Sequence, residues 1–366
     1  MLYKAFKEMG LVQLDCEQSV FTHQEEEVEA GVTFFAGPDI VLAIHVDDFI
    51  VLGRNRIVIQ DFKTELNKQF SIKRSKDLGK ARDFLGIEII RNPETGTIKL
   101  SQEAYFMGVL KRYGMEDARP NKTPFAEGTV VDSDDDDYLD EEGKTAYQAI
   151  VGSLTYGMQG TRPDLGFAVS LLSRFLTKPT YRHMTLVKGV LRYLAGTLKL
   201  GIVFSKHETK ALHGYTDSDF NGKMLQGDGR STSGYIFFLA GGPISWSSKR
   251  QSTVALSSSE AEYIGQANAI RHAIHLSHFL NEIKIPPPLP ITIYADNQSA
   301  IALSKNPEFH ARTKHIDTAY HFQRQKIREG VVEIVYIPTD KMAADGLTKP
   351  LGGIKFSRYL QYLRLQ

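Results

Sequence analysis

Four acidic residues in the C-terminal part of the chain are spaced as if to serve one site: Asp217 in "YTDSDFNG", Glu262 in "SSSEAEYIG", Asp296 in "IYADNQSA" and Asp345 in "AADGLTK". Carboxylates brought together repel one another and lose hydration, a cost that a cation can offset. Their oxygens are hard donors suited to magnesium, which keeps much of its water and binds a substrate phosphate as well. Two such ions can hold the attacking and leaving oxygens of an in-line phosphoryl displacement. Taken singly, each acid reads more simply as a cap or a strand-edge residue, and "SSSE" is a helix start with or without catalysis. Glu260 and Glu262 are two apart on a predicted helix and face roughly opposite ways, so spacing leaves open which one turns inward. A second acidic pair, Asp47 and Asp48, interrupts the apolar run "VLAIHVDDFIVLG".

The elements that would carry these acids follow from periodicity. Around Asp47 and Asp48 the β-branched content predicts strand, tight turn, strand, because Asp side chains bond nearby backbone amides in turns. Residues 58–70 have helical apolar spacing, residues 84–90 read as a strand, and "NPETGT" reads as a hairpin turn into the strand "IKLS". Ser101 is placed to cap a helix reaching residue 113. The acidic run "DSDDDDYLDEEG" reads as a solvated loop rather than a metal site. Two amphipathic helices follow, over 145–176 with an interruption at "TRPD" and over 183–196. Beyond residue 200 the order is three strands, a helix at 258–283, the stiff connector "PPPLP", the strand "ITIYAD", a short helix from Asn297, a longer helix at 313–328, the strand "VVEIVYIP" and a last helix near 342–347. The pattern is βββαβαβα.

Composition narrows the class. At 366 residues the chain exceeds one compact core and suggests two or three domains. Its 42% hydrophobic and 24% charged residues are those of an ordinary soluble globular protein. The net charge of +1 gives no global pull toward nucleic acid, so local charge must supply any. A single cysteine, Cys16, excludes an internal disulfide and a cysteine-built zinc site, and fits a reducing compartment. The start lacks the apolar core of a signal peptide, and no apolar stretch approaches the ~20 residues of a membrane helix.

Other residues weigh less. The basic stretch "KTELNKQFSIKRSKDLGKAR" suits either a phosphate backbone or a solvated helix face. Trp246 with Lys249 and Arg250 could stack on a nucleic-acid strand, or Trp246 could lie in a sheet core. His310, His315 and His321 lack a fourth ligand of zinc type. "GDGRSTSGY" has loop glycines without the Lys-Ser/Thr of a phosphate loop and reads as a hairpin turn.

In this order and spacing, "TDSDFNG", "SSSEAEY", "YADNQSAI", "TKHID" and "ADGLTK" resemble the ribonuclease H domain of Ty1/copia-type retrotransposon polyproteins. "HVDDFIVLG" resembles the YxDD hairpin of their reverse transcriptase, and "FLGIEI", "LSQEAY", "VGSLTY", "TRPD" and "LRYLAGT" resemble the stretch that joins the two. The resemblance covers essentially the whole chain. It implies a mixed α+β and α/β architecture: a partial reverse-transcriptase palm over 1–110, a helical thumb or connection region over 111–205, a ribonuclease H-like βββαβαβα domain over 206–350 and a tail over 351–366. It implies that Asp217, Glu262, Asp296 and Asp345 bind two Mg2+ ions, with Mn2+ as the substitute ion. Glu262 is favoured over Glu260 because "EYIG" aligns with the family helix.

By the same resemblance Asp47 is a polymerase metal ligand and Asp48 assists it, with His45 where the family usually has Tyr. The family's earlier palm-strand Asp has no counterpart before Val41, which implies a weakened polymerase. Many relatives outside the copia group carry a His before the last acid; "IPTDKMA" has none. The implied partners are RNA–DNA hybrid and RNA and DNA template-primer, with a homodimer or a complete polymerase subunit as protein partner and no membrane. The implied location is a cytoplasmic virus-like particle, or the nucleus. The other class of function is a repurposed remnant that binds hybrids without cutting them.

Overall fold

In this computed structural model residues 6–23, 40–46, 48–70, 78–131, 137–220, 229–305 and 317–366 are described. The chain divides into two compact units, Met1–Phe84 with His272–Pro288, and Leu85–Arg271 with Leu289–Gln366.

In the first unit, β1 (Leu11–Gln13), β2 (Val20–His23), β3 (Ile40–His45) and β4 (Asp48–Gly53) form an antiparallel sheet in that order. Alternate side chains of a strand face opposite sides. Ile40 and Leu42 of β3 therefore pack with Phe6, Phe21, Phe62 and Leu66, the last two from α1 (Arg56–Phe70). Asn55 caps that helix by accepting the Val58 amide at 3.0 Å. The expected hairpin is formed, and His45 pairs with Asp48 where β3 meets β4. Val46 enters the turn at φ 53°, a region that β-branched residues rarely take.

The second unit starts with the antiparallel strands β5 (Ile87–Asn92) and β6 (Thr97–Ser101), which β7 (Ile202–Ser205) later joins. β5 starts later than residue 84 because Leu85 and Gly86 turn the chain at φ 53° and 67°. In α2 (Glu103–Arg112) the cap position belongs to Gln102; Ser101 stays in the strand, although its hydroxyl accepts the Glu103 amide at 3.2 Å. The end of the acidic run has a structural use. Asp140 accepts the Gly143 amide at 2.8 Å and starts α3 (Glu141–Gly160); residues 132–136 of the run lie outside the described part.

"TRPD" does break the helical stretch, as a 3-10 turn at Pro163–Leu165 before α4 (Gly166–Leu172). Its charges are deeply buried. Arg162 forks onto Asp164 at 2.9 and 2.7 Å and donates to the Thr197 carbonyl at 3.0 Å, while Tyr193 donates to Asp164 at 2.6 Å. A buried ion pair is tolerable when its remaining donors and acceptors are met in this way. The Thr180–His183 capping box starts α5 (Tyr181–Ala195).

The larger sheet of this unit runs β10 (Gly242–Arg250), β9 (Thr232–Leu239), β8 (His213–Asp219), β11 (Ile291–Ala295), β12 (Val332–Tyr336). The first three are antiparallel and the last two pair in parallel. α6 (Ser258–Glu282) connects β10 to β11, and α7 (Gln298–Lys305) and α8 (Asp317–Arg328) lie between β11 and β12. This is the expected βββαβαβα order with one shift. The last helix, α9, is Gly353–Tyr362, in the segment expected to be a tail. Residues near 342–347 form 3-10 turns instead, at Thr339–Lys341 and Asp345–Leu347, since Pro350 bars a helix from running on. One apolar core joins the helices to the sheet: Leu154, Leu172 and Leu191 pack in the same cluster as Ile236, Phe238, Leu347, Phe356 and Tyr359.

Candidate active site

The parallel pairing of β8 with β11 brings two of the acids together. Tyr215 lies opposite Tyr294. With a side-chain period of two, Asp217 and Asp296 follow on the same face. Asp217 is 2% exposed in mid-strand. Asp296 stands just past the end of β11 and accepts the Thr339 hydroxyl at 2.7 Å. Next to it Asn297 accepts the Ala300 amide at 2.9 Å and starts α7.

Helix α6 delivers the third acid and separates Glu260 from Glu262. Glu260 donates its amide to Ser257 Oγ at 3.2 Å and accepts the Leu256 amide at 2.9 Å, a reciprocal cap of the helix start. Glu262 is buried against the sheet. One oxygen from each of Asp217, Glu262 and Asp296 lies within 4.8 Å of the others.

Asp345 reaches this group through its own turn rather than directly. Lys349 Nζ is 2.5 Å from Asp345 Oδ1 and 3.9 Å from Asp217 Oδ2. Thr348 donates its hydroxyl to the same Asp217 oxygen. The turn can lie across the sheet only because Gly234 is the cross-strand partner of Asp217. A Cβ there would stand 2.7 Å from Leu347 Cβ and 2.9 Å from Thr348 Cγ2.

Burial dominates the electrostatics. It pushes the Asp217 carboxyl up to about 7, with Asp345 and Asp296 adding to the rise and Lys349 and Thr348 opposing it. It raises Glu262 well above the usual carboxylate range, reinforced by Asp217 and Asp296. Asp345 is also raised by burial, against the pull of Lys349. For Lys349 the balance reverses: burial disfavours its charge, but Asp217 and Asp345 outweigh that and raise its affinity for the proton. One ammonium therefore stands among more carboxyl groups than it can neutralise if they ionise.

The donor set suits a hard divalent ion. It consists of carboxylate oxygens, and Glu262 Oε2 is buried with no hydrogen-bond partner among the described residues. Such an acceptor is costly unless something binds it. Mg2+ and Mn2+ fit this chemistry.

The remaining sequence candidates fall elsewhere. Asp47 lies outside the described residues; Asp48 is exposed at the start of β4 in the other unit. Trp246 packs on the core and donates its indole N–H to the Met158 carbonyl at 3.1 Å. His321 is exposed on α8, and His310 and His315 are not described. Sequence reasoning missed Thr348, Lys349, Thr339 and Gly234. Of these only Lys349 carried a readable cue, a Lys four residues after an acid.

The family described as Reverse transcriptase (RNA-dependent DNA polymerase) matches residues 9–127. The chain is 40% identical over 321 residues to the retrovirus-related Pol polyprotein from transposon TNT 1-94 of Nicotiana tabacum, covering 87% of this chain and 24% of that protein. It is 33% identical over 247 residues to the putative transposon Ty5-1 protein YCL074W of Saccharomyces cerevisiae, covering 67% of this chain and 78% of that one. The chain thus spans 24% of the TNT 1-94 polyprotein and 21% of the corresponding RE2 polyprotein of Arabidopsis thaliana. Among solved structures, LC11-RNase H1 in complex with an RNA/DNA hybrid aligns at TM-score 0.29 and 17% identity, over 37% of this chain and 93% of its own. The foamy viral protease-reverse transcriptase, also in complex with a hybrid, aligns at TM-score 0.47 and 15% identity, over 81% of this chain and 36% of its own. On these sequence likenesses, the chain belongs to the Ty1/copia-type retrotransposon Pol polyprotein family.

Proposed function

We propose that the acidic pocket hydrolyses the RNA strand of RNA–DNA hybrids with Mg2+, or Mn2+ in its place. The observation that carries this reading is the convergence of Asp217, Glu262 and Asp296 within 4.8 Å, with Asp345 one ion pair away. Asp217, Glu262 and Asp296 would hold the ions, and Asp345 would complete the set. Bound divalent metal supplies the positive charge that stabilises the attacking and leaving oxygens of phosphoryl transfer. The chain's own groups fix the acids in place. Thr348 and Thr339 orient Asp217 and Asp296 through their hydroxyls, and Lys349 holds the Asp345 turn against Asp217. Water adds to phosphorus, the bond to the 3′ oxygen breaks, and the products are a 5′-phosphate and a 3′-hydroxyl. The 2′-hydroxyls mark the strand to be cut.

The hairpin acids Asp47 and Asp48 belong, on this reading, to the reverse transcriptase part, which would contact template-primer within a longer Pol protein or a paired polymerase subunit. The setting is RNA-mediated transposition, in a cytoplasmic particle or in the nucleus. A second reading, hybrid binding without cutting, is favoured by one observation: Lys349 already supplies a cation between Asp345 and Asp217.

The test uses the purified full chain and a labelled hybrid. Asp296→Asn and Glu262→Gln are expected to lower Mg2+-dependent cleavage by at least ~10³-fold, and Glu260→Gln to keep it. Cleavage retained in Asp296→Asn rejects the assignment. Hybrid binding by a wild type that does not cleave, with or without Mg2+, selects the second reading.

A further inference from the structure

Glu262 must keep its carboxylate beside two others that repel it, and it sits in the second turn of a helix whose start is exposed. A contact that the cleavage reaction does not use fastens that turn. Gln251 is the first residue after β10, buried, with its backbone amide bonded to the Ser231 carbonyl at 2.8 Å. Its side-chain Nε2 donates twice, to the Ala261 carbonyl and to Ser233 Oγ, each at 2.8 Å. Ala261 directly precedes Glu262. Ser233 Oγ in turn is 3.0 Å from Ser218 Oγ, on the residue that follows Asp217. One amide group thus ties the helix turn bearing Glu262 to β9 through Ser233 and, by way of Ser218, to β8, the strand that bears Asp217. The helix can approach this closely because residue 265 is Gly; a Cβ there would lie 2.3 Å from Ser218 Oγ.

We propose that Gln251 is a positioning residue that sets the metal affinity of the acidic pocket, through its hydrogen bonds to Ala261 and Ser233. The proposal rests on the reading of the pocket as a divalent-metal site. Gln251 touches neither ion nor substrate; it resists the outward push of the carboxylates on the helix. Groups hydrogen-bonded to a metal ligand itself are worth about 10- to 100-fold in metal affinity, and Gln251 acts one residue away from Glu262, so the lower end of that range is expected. A role in folding alone would lower the melting temperature and leave the metal midpoint unchanged.

The experiment titrates the full chain with Mn2+ by calorimetry and, in parallel, measures hybrid cleavage against Mg2+ concentration and melting in EDTA. Gln251→Met keeps the length and removes the donor. It is expected to weaken Mn2+ binding and to raise the half-saturating Mg2+ by about 10-fold, with cleavage recovering at high Mg2+. Ser233→Ala leaves the Ala261 contact in place and is expected to shift both midpoints in the same direction by less. It also tests the clamp if Gln251→Met does not fold. A folded variant with the wild-type Mn2+ affinity and Mg2+ midpoint overturns the proposal. A wild-type chain that takes up no Mn2+ overturns the metal reading beneath it, so the two failures are told apart.

Discussion

The chain carries two sets of acids in opposite settings. Asp48 stands exposed at the turn end of β4, on a hairpin whose outer residues Phe49 and Leu52 are 38% and 53% exposed. Asp217 lies 2% exposed in the middle of a five-stranded sheet, with Glu262 beside it at 5%. Asp47 and Asp48 interrupt a strongly apolar run that reads as strand, tight turn and strand, whereas "GYTDSDF" around Asp217 is mostly polar. The difference teaches that apolar neighbours in sequence say little about the solvation of an acid. A hairpin tip exposes its charge whatever flanks it, whereas a central strand with Gly234 opposite and a turn laid over it removes water from the carboxylate. Burial of the second set generates a need for a cation.

The largest effect should come from changing the charge of the buried set. Asp217 has its carboxyl raised from the ordinary 3.8 to about 7. For an acid raised on folding, stability is fully present below the unfolded value and is lost as pH rises through the folded one. In EDTA the protein should therefore lose stability between about pH 4 and 7, by on the order of 4 kcal/mol at most from this group. Asp217→Asn should flatten that slope, and Mg2+ should raise the wild-type melting temperature more at pH 8 than at pH 5. Melting curves across this range, with EDTA or Mg2+, give the check. Identical slopes for wild type and variant would mean that burial of Asp217 is not what strains the pocket.

The next effect tests the lid of turn laid over Asp217. Gly234→Ala places a Cβ into Leu347 and Thr348. Overpacking of this kind costs about 1–3 kcal/mol. The Asp345 and Lys349 turn should move off the sheet, so hybrid cleavage should fall further than global stability does. Urea denaturation alongside a cleavage assay measures both. Unaltered cleavage would separate Asp345 from the site.

Much of this was legible beforehand, for reasons that differ by residue. The βββαβαβα order could be read because strand and helix periods are local, and three of the four acids, Asp217, Glu262 and Asp296, meet in the structure although Asp217 lies in mid-strand and Glu262 in the second turn of its helix. Spacing alone could not separate Glu260 from Glu262, and only the family resemblance favoured Glu262. The structure settles the choice through the local Ser257 cap that engages Glu260 and through the approach of Gly265 to Ser218, which is set by tertiary packing. Helix α9 was missed because "GIKFSRYLQY" buries only Phe356 and Tyr359, a stripe too narrow to announce itself. Arg162 and Asp164 read as a cap or kink, since nothing local shows that Tyr193 and Thr197 will enclose them.

The smallest effect should come from the hairpin. Asp48 is exposed and the unit's core lies elsewhere, around Leu42, Phe21 and Leu66. Water already solvates its charge, so removing that charge relieves no strain and creates no cavity. Asp48→Asn should shift stability by no more than about 0.5 kcal/mol, should show no Mg2+-dependent change in melting relative to wild type, and should leave hybrid cleavage intact. Template-primer extension by a longer Pol protein carrying the same substitution should fall, if the hairpin serves the polymerase part. Melting, cleavage and extension measured on matched variants distinguish the two acid sets. A loss of hybrid cleavage in Asp48→Asn would mean that both sets act in one reaction, and burial would no longer separate a metal pocket from an exposed turn.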